Sequence, residues 1–243
     1  MYIMSIASIG MQSDLARMDS ISHNTANVLT PGFKRQIPVT PGFSIQIEQG
    51  MNGQPVPVLV RSAALAQGAI DPSSGPLRPT GNFQDVAIEG PGFFEILTPK
   101  GTLFTRQGSL RADLQGRLVV GQDLPVMGVG GDIRVTNNPF TIAGNGDITQ
   151  DNRIIGRLKV VSFSKPEALV PNGAGMYQAG TAQPQDARGS ATVRTGFLEG
   201  SNVSSPPEMV RMTETVRHFE SLPTVVQGYD DLLEKTIRKI GDF

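Results

Sequence analysis

Residues 22–35 read SHNTANVLTPGFKR and follow an apolar-striped N-terminal segment. Asn24, Asn27 and Thr30 are poor residues for a helix interior, because their side chains compete for nearby backbone groups. Pro31 has no N–H to donate and disfavours the α conformation at the residue before it. The stretch therefore predicts that a long N-terminal helix ends here and that the chain continues in a different structure beyond the proline.

The N-terminal segment, residues 1–29, carries apolar side chains at helical spacing. The stripe consists of Met4, Ala7, Met11, Leu15, Met18 and Ile21. Residues three and four apart lie on the same side of a helix, so this spacing predicts one helix with an apolar face.

A second helix is predicted at the other end, in residues 201–243. Ser205 can cap this helix, Pro206 suits its first position, and Glu208 completes a capping box. Gly241 is placed to end it. These signals predict a helix of roughly 50 Å.

The C-terminal helix has a heptad-like seam of apolar residues. Its positions are Met209, Met212, Val216, Phe219, Pro223, Val226, Asp230, Leu233, Ile237 and Ile240. The proline and the aspartate are defects in the seam. Because Pro223 cannot donate to the Phe219 carbonyl, the sequence also predicts a kink or a local break there.

Two further zones lie between the helices. Residues 30–80 are rich in proline and glycine and predict an extended linker. Residues 81–200 contain short apolar runs separated by turns, and Asn145-Gly146 stands between two alternating segments as a hairpin signal. This zone predicts a mostly antiparallel all-β domain.

Together the zones predict an α+β protein whose two long terminal helices form a coiled-coil-like stalk and flank the β domain. Each helix is the simplest partner for the seam of the other. Both helices also carry apolar residues off the seam, which favours additional helices from other copies. The alternative is that both helices pack on the β domain.

The composition excludes several classes of protein. The chain has 243 residues, with 21 Lys and Arg, 22 Asp and Glu, and no Cys. Balanced charge argues against a nucleic-acid partner, which requires a basic face. No stretch approaches the ~20 apolar residues of a spanning helix, so membrane insertion is not expected. The N-terminus lacks the basic start of a signal peptide, and we expect no cleaved leader.

No motif predicts catalysis. The glycine-rich run at 127–131 leads into a strand pattern, whereas a phosphate-binding loop opens a helix. Residues 145–152 lack the spacing and terminal Glu of a calcium-binding loop. His23 and His218 are interpreted as plain surface or interface residues. We therefore predict no catalytic, cofactor-binding or metal-binding residue, no cofactor and no small-molecule substrate, although a site built from Asp and Glu alone stays open.

Motifs along nearly the whole chain resemble one family. HNTANVLTPGFKR (23–35) and GFLEGSNVSSPPEMVRMTETVRHFE (196–220) resemble the terminal signatures of the bacterial flagellar rod and hook proteins. DVAIEGPGFFEI, FTRQGSLRADLQGRLV and GRLKVVSF resemble the β domain of the rod proteins. The signature residues in this chain are Asn24, Asn27, Thr30, Gly32, Phe33, Lys34, Arg35, Ser201, Asn202 and Val203.

Within the family, the length, LEGSNV and GRLKVV favour the proximal-rod kind. The distal-rod kind is the alternative. A hook-type subunit is less favoured, because it usually carries a further outer domain.

The resemblance implies a structural subunit of the flagellar rod and not an enzyme. Such subunits polymerise helically through their terminal helices around a central export channel and transmit motor torque. The implied partners are further copies, other rod proteins and, during secretion, the flagellar export apparatus. The implied location is the basal body in the periplasm. A secreted β-domain adhesin or coat protein with associating terminal helices is the alternative from another class.

The predicted assembly interface consists of the apolar stripes of both helices. Its residues are Met4, Met11, Leu15, Met18, Ile21, Met209, Met212, Val216, Phe219, Val226, Leu233, Ile237 and Ile240.

The difference in charge between the helices predicts which one lines the channel. Residues 1–28 contain three charged side chains, whereas residues 208–242 contain twelve. Charged side chains are seldom buried unless they are paired, so the C-terminal helix is expected to face the water of the channel. The distance of each helix axis from the filament axis in a cryo-EM map tests this. A smaller radius for the N-terminal helix would contradict the prediction.

Overall fold

The structure is a computed structural model. It describes residues 2–38, 68–136, 138–187 and 189–241. Residues 39–67, which include most of the predicted linker, lie outside the described residues. The described chain is α+β, with helix α1 at Tyr2–Ala26, helix α2 at Ser205–Gly241 and short strands between them. Helix α1 thus ends a few residues before the predicted boundary at residue 29.

The strands in the described residues all pair antiparallel. In chain order they are β1 (Gln36–Ile37), β2 (Ala69–Ile70), β3 (Leu77–Pro79), β4 (Val86–Glu89), β5 (Phe93–Thr98), β6 (Gly101–Thr105), β7 (Leu110–Ala112), β8 (Leu118–Val120), β9 (Leu124–Pro125), β10 (Met127–Gly128), β11 (Gly131–Asp132), β12 (Phe140–Ile142), β13 (Asp147–Gln150), β14 (Arg153–Arg157), β15 (Val160–Phe163), β16 (Val170–Pro171), β17 (Met176–Gln178), β18 (Pro184–Asp186), β19 (Thr192–Thr195) and β20 (Phe197–Glu199). A 3₁₀ turn at Pro166–Ala168 precedes β16.

The described residues form two compact units. The helical unit contains residues 2–23 and 205–241, and the β unit contains Asn24–Ile37 and Ala69–Ser204. In the β unit, a six-stranded sheet has the order β16-β17-β6-β5-β15-β18. Two three-stranded sheets have the orders β12-β13-β14 and β7-β8-β9, and the remaining strands pair as β1-β2, β3-β20, β4-β19 and β10-β11.

The six-stranded sheet is buried on both faces by apolar clusters. Phe94 and Leu103 belong to the larger cluster, while their chain neighbours Phe93 and Phe104 belong to the smaller one. Successive side chains of a strand point to opposite faces, so β5 and β6 supply both clusters. In the smaller cluster the rings of Phe104 and Phe163 meet edge-on, with centroids 4.9 Å apart.

The hairpin predicted at Asn145-Gly146 is confirmed. Strands β12 and β13 pair on either side of it, and Gly146 has a φ of +84°. The Asn145 Oδ1 accepts a hydrogen bond from the Asp147 N–H at 3.0 Å, which closes the turn locally.

The predicted coiled-coil-like stalk is wrong, because α1 and α2 do not form a long stalk. Leu15 and Met209, both placed on the predicted seam, are 53% and 62% exposed. The less exposed residues of α2 from Glu208 onward are instead Glu208, Met212, Thr215, Val216, Phe219, Leu222 and Val226. Neighbouring residues on a helix are about 100° apart, so two stripes one residue out of step overlap at shared positions. The apolar spacing could not distinguish them.

Helix α2 begins at Ser205, where the capping signals place its start, and it includes Gly241. The helix is one continuous element through Pro223, so the local break suggested at this proline does not occur. The Pro223 side chain is exposed, whereas Phe219 and Val226 are half-buried. The missing N–H therefore does not end the helix.

Gly108 is a position at which the β unit requires glycine. A Cβ added there would lie 1.5 Å from the Val86 carbonyl oxygen, in the backbone of β4. We expect Gly108→Ala to lower the free energy of unfolding by about 1–3 kcal/mol or more, through overpacking. At Gly130 a Cβ meets nothing within 4 Å, and Gly130→Ala is the matched control. Urea unfolding of both variants tests this, and equal midpoints would contradict it.

Candidate functional site

Three charged side chains meet in the interior of the β unit. Lys34 Nζ lies 2.6 Å from Glu199 Oε1, and Arg106 Nη1 lies 2.9 Å from Glu199 Oε2. All three residues are buried, Lys34 and Glu199 completely. Because buried charges are tolerated only when they are paired and hydrogen-bonded, the carboxylate joins both cations in one network, the ion triad of Lys34, Arg106 and Glu199.

Backbone groups complete the surroundings of the ion triad. Lys34 Nζ also donates to the Ser73 carbonyl at 2.6 Å, and the Gly75 N–H donates to Glu199 Oε1 at 2.8 Å. Burial lowers the pKa of Lys34, the Glu199 carboxylate opposes this shift, and the Arg106 guanidinium adds to it. The triad thus depends on the carboxylate for the stability of two buried cations.

The turn after Pro31 is shaped to deliver Lys34 to the triad. Gly32 has a φ of +67°, and a Cβ there would lie 2.4 Å from the Arg106 carbonyl carbon, so only glycine fits. The Gly32 N–H donates to the Glu199 carbonyl at 2.8 Å. The Lys34 N–H donates to Tyr177 Oη at 2.7 Å, and burial raises the pKa of that phenol.

Asn24, at the end of α1, holds the chain that follows the turn. Its Nδ2 donates to the Gln36 carbonyl at 2.9 Å, and its Oδ1 accepts from the Gln36 N–H at 2.7 Å. Within the turn, Thr30 Oγ1 donates to Asn27 Oδ1 at 3.0 Å. The asparagines that weaken the helix pattern are therefore the groups that close the turn.

Asn202 provides the matching contacts from the C-terminal signature. Its Oδ1 accepts from the Arg35 N–H at 2.7 Å, and its Nδ2 donates to the Asp71 carbonyl at 3.0 Å. Ser201 Oγ accepts from the Val203 N–H at 3.1 Å. The amide thus ties the segment after α1 to the segment before α2.

The structure brings the residues of both signatures together in the β unit. Gly32, Phe33, Ser201 and Val203 are buried around the ion triad and its backbone contacts. Sequence analysis placed Glu199 and Arg106 within motifs of the resemblance but assigned them no role, and it did not name Tyr177. A charged residue directly after a buried strand, as in LFTR (103–106), was the available signal for the first of them.

The predicted assembly residues lie on the two helices with different exposure. Ile21 is buried, and Leu15 and Met209 are exposed. Half-buried positions are Met11, Met18, Met212, Val216, Phe219 and Val226. Met4, Leu233, Ile237 and Ile240 belong to the helices, but their side chains lie outside the described residues.

The geometry of the ion triad is that of a structural contact. The triad is sealed from solvent, so its charged atoms cannot meet a dissolved substrate. Among the described residues, no group of His, Asp and Glu is arranged to hold a metal ion. In that same part of the chain, neither helix has a stretch long and apolar enough to cross a membrane.

Removing the charge of Glu199 tests the importance of the triad. Glu199→Gln leaves two buried cations without a counterion and is expected to lower the free energy of unfolding by about 3–5 kcal/mol. Glu89→Gln is the control, because Glu89 pairs with Arg194 at the surface and should cost less than about 1 kcal/mol. Chemical denaturation measures both, and similar losses would contradict the role of the triad.

Two models of known protein families match segments of this chain. Residues 87–150 match the model of the flagellar hook protein FlgE/F/G D1 domain, and residues 194–239 match that of the flagellar basal body rod FlgEFG protein C-terminal region. The flagellar basal-body rod protein FlgG of Bacillus subtilis is 30% identical, over 94% of this chain and 95% of the relative.

Two proteins of the other rod kind are similarly related. The flagellar basal-body rod protein FlgF of Escherichia coli is 31% identical, over 86% of each chain. That of Mesorhizobium japonicum is 28% identical, over 93% of this chain and 92% of the relative. The chain therefore belongs to the family of flagellar basal-body rod proteins of the FlgF and FlgG kind.

Proposed function

We propose that the protein is a structural subunit of the flagellar rod and polymerises helically through its terminal helices. Membership of the rod-protein family and the names of its relatives support the rod assignment. Of the two kinds, we favour the proximal-rod FlgF kind, for the chain length and the LEGSNV and GRLKVV motifs.

One observation carries the proposal of assembly through helices. Val225, Tyr229 and Leu232 of α2 are 62%, 38% and 62% exposed. They follow a spacing of four and three residues, so they lie on one side of the helix. An exposed apolar stripe of this kind marks an interaction site, and a second copy offers helices with matching stripes. Contacts of one copy with the next that do not close a ring generate an open helical filament.

The remaining elements of the function belong to the same proposal. The helices would form the inner layer around an export channel, and the assembled subunits would transmit motor torque. Other rod proteins and the flagellar export apparatus are the proposed partners. The proposed location is the periplasmic part of the basal body, reached by flagellar export without a cleaved signal peptide.

A charge on the exposed stripe of α2 tests the proposal. Val225→Asp places a carboxylate in the proposed contact between copies, and we expect loss of swimming and of incorporation into basal bodies without loss of secretion. Thr224→Asp adds the same charge at the neighbouring exposed position and should assemble. Phe219→Ala, on the less exposed side, should also impair assembly, since truncation at a packed site costs about 2–5 kcal/mol. Normal motility of Val225→Asp would overturn the proposal.

A further inference from the structure

A short contact joins α1 and α2 within the helical unit. A Cβ added at Gly10 would lie 3.2 Å from Leu222 Cδ1, so this glycine leaves room for the leucine. One helical turn further along α1, Asp14 Oδ2 lies 2.6 Å from His218 Nδ1. Moving forward by four residues on α1 corresponds to moving back by four on α2, so the helices are antiparallel at this contact.

Asp14 is the buried charged residue of this contact. Its side chain is 1% exposed, and its neighbours are His218 at 2.6 Å and Arg17, whose Nη1 lies 3.7 Å from Asp14 Oδ1. A buried carboxylate without polar partners is costly, whereas the exposed His218 and Arg17 can reach water in other arrangements. A change in the alignment of the two helices would therefore cost the most free energy at Asp14.

Other alignments of the same two helices leave Asp14 with unsuitable neighbours. A shift by one turn in one direction places Asp14 opposite Leu222, where the carboxylate loses the contact with His218 and retains Arg17 of its own helix. A shift by one turn in the other direction places it opposite Glu214, which has the same charge. Apolar stripes alone would tolerate either shift, because apolar contacts are non-directional.

We propose that the polar pair of Asp14 and His218 selects a single antiparallel register of the two terminal helices. A buried polar residue that specifies register at some cost in stability is well attested in helix pairs. The inference deepens the proposed function, and its consequence for assembly, given next, rests on that function. A shift of one turn moves the stripe of Val225, Tyr229 and Leu232 by about 5.4 Å along α1 and would misalign it with the next copy.

Disulfide formation in the full-length chain tests the register, because the native chain has no Cys. One variant carries Gly10→Cys with Leu222→Cys, the native contact, and another carries Gly10→Cys with Val226→Cys, one turn away. We expect at least about tenfold more intrachain disulfide in the first. A shift of one turn adds about 5.4 Å along the helices to the distance across the contact, which puts the second pair beyond the roughly 7 Å between Cα atoms that a disulfide can span. Each pair is also built with Asp14→Leu and His218→Leu, where the two yields should converge.

His23→Leu is the matched control, because His23 contacts Asp19 within α1 and both side chains are exposed. It should leave the preference for the first cysteine pair unchanged. Two outcomes would overturn the inference. One is that the chain with Asp14→Leu and His218→Leu still forms the first disulfide as selectively as the chain with both native residues. The other is that neither cysteine pair forms a disulfide when Asp14 and His218 are present. Those outcomes leave the proposed function standing, whereas incorporation of Val225→Asp into basal bodies would overturn the function and leave the register unaffected.

Discussion

The β unit is organised around the ion pair between Lys34 and Glu199, two residues 165 positions apart in the chain. Its carboxylate also binds Arg106, so one anion neutralises two buried cations. Such a network is favourable only if every member keeps its partners, because an isolated charge in the interior is costly. The requirement extends to the backbone, since the turn that carries Lys34 must place its ammonium within reach of Glu199.

The unusual composition of the first signature follows from this requirement. Gly32 is needed where the backbone approaches Arg106 with a positive φ, and Asn24 closes the segment between the end of α1 and β1. Asn202 performs the corresponding task before α2, by binding the backbone of Arg35 and Asp71. These polar residues, of a kind that binding sites often use, thus hold the first and last segments of the β unit together.

The helical unit differs from the β unit in that some of its apolar side chains are left exposed. Its contact between α1 and α2 is short, and apolar side chains such as Val225 and Leu232 remain exposed. Exposed apolar stripes are unfavourable for an isolated subunit but suit the proposed assembly, in which further copies can cover them. The protein therefore combines a β unit with a closed interior and helices whose burial is incomplete within one chain.

The two helices, the antiparallel β zone, the hairpin at Asn145-Gly146 and the family could all be predicted from sequence alone. These features depend on local periodicity, on turn chemistry and on motifs, all of which are readable along the chain. The tertiary structure was needed to show that Glu199 pairs with both Lys34 and Arg106, and that Thr215 and Leu222 are shielded on α2 whereas Pro223 is exposed. Periodicity shows which side of an element is apolar, but it does not show which distant segment covers that side or neutralises a buried charge.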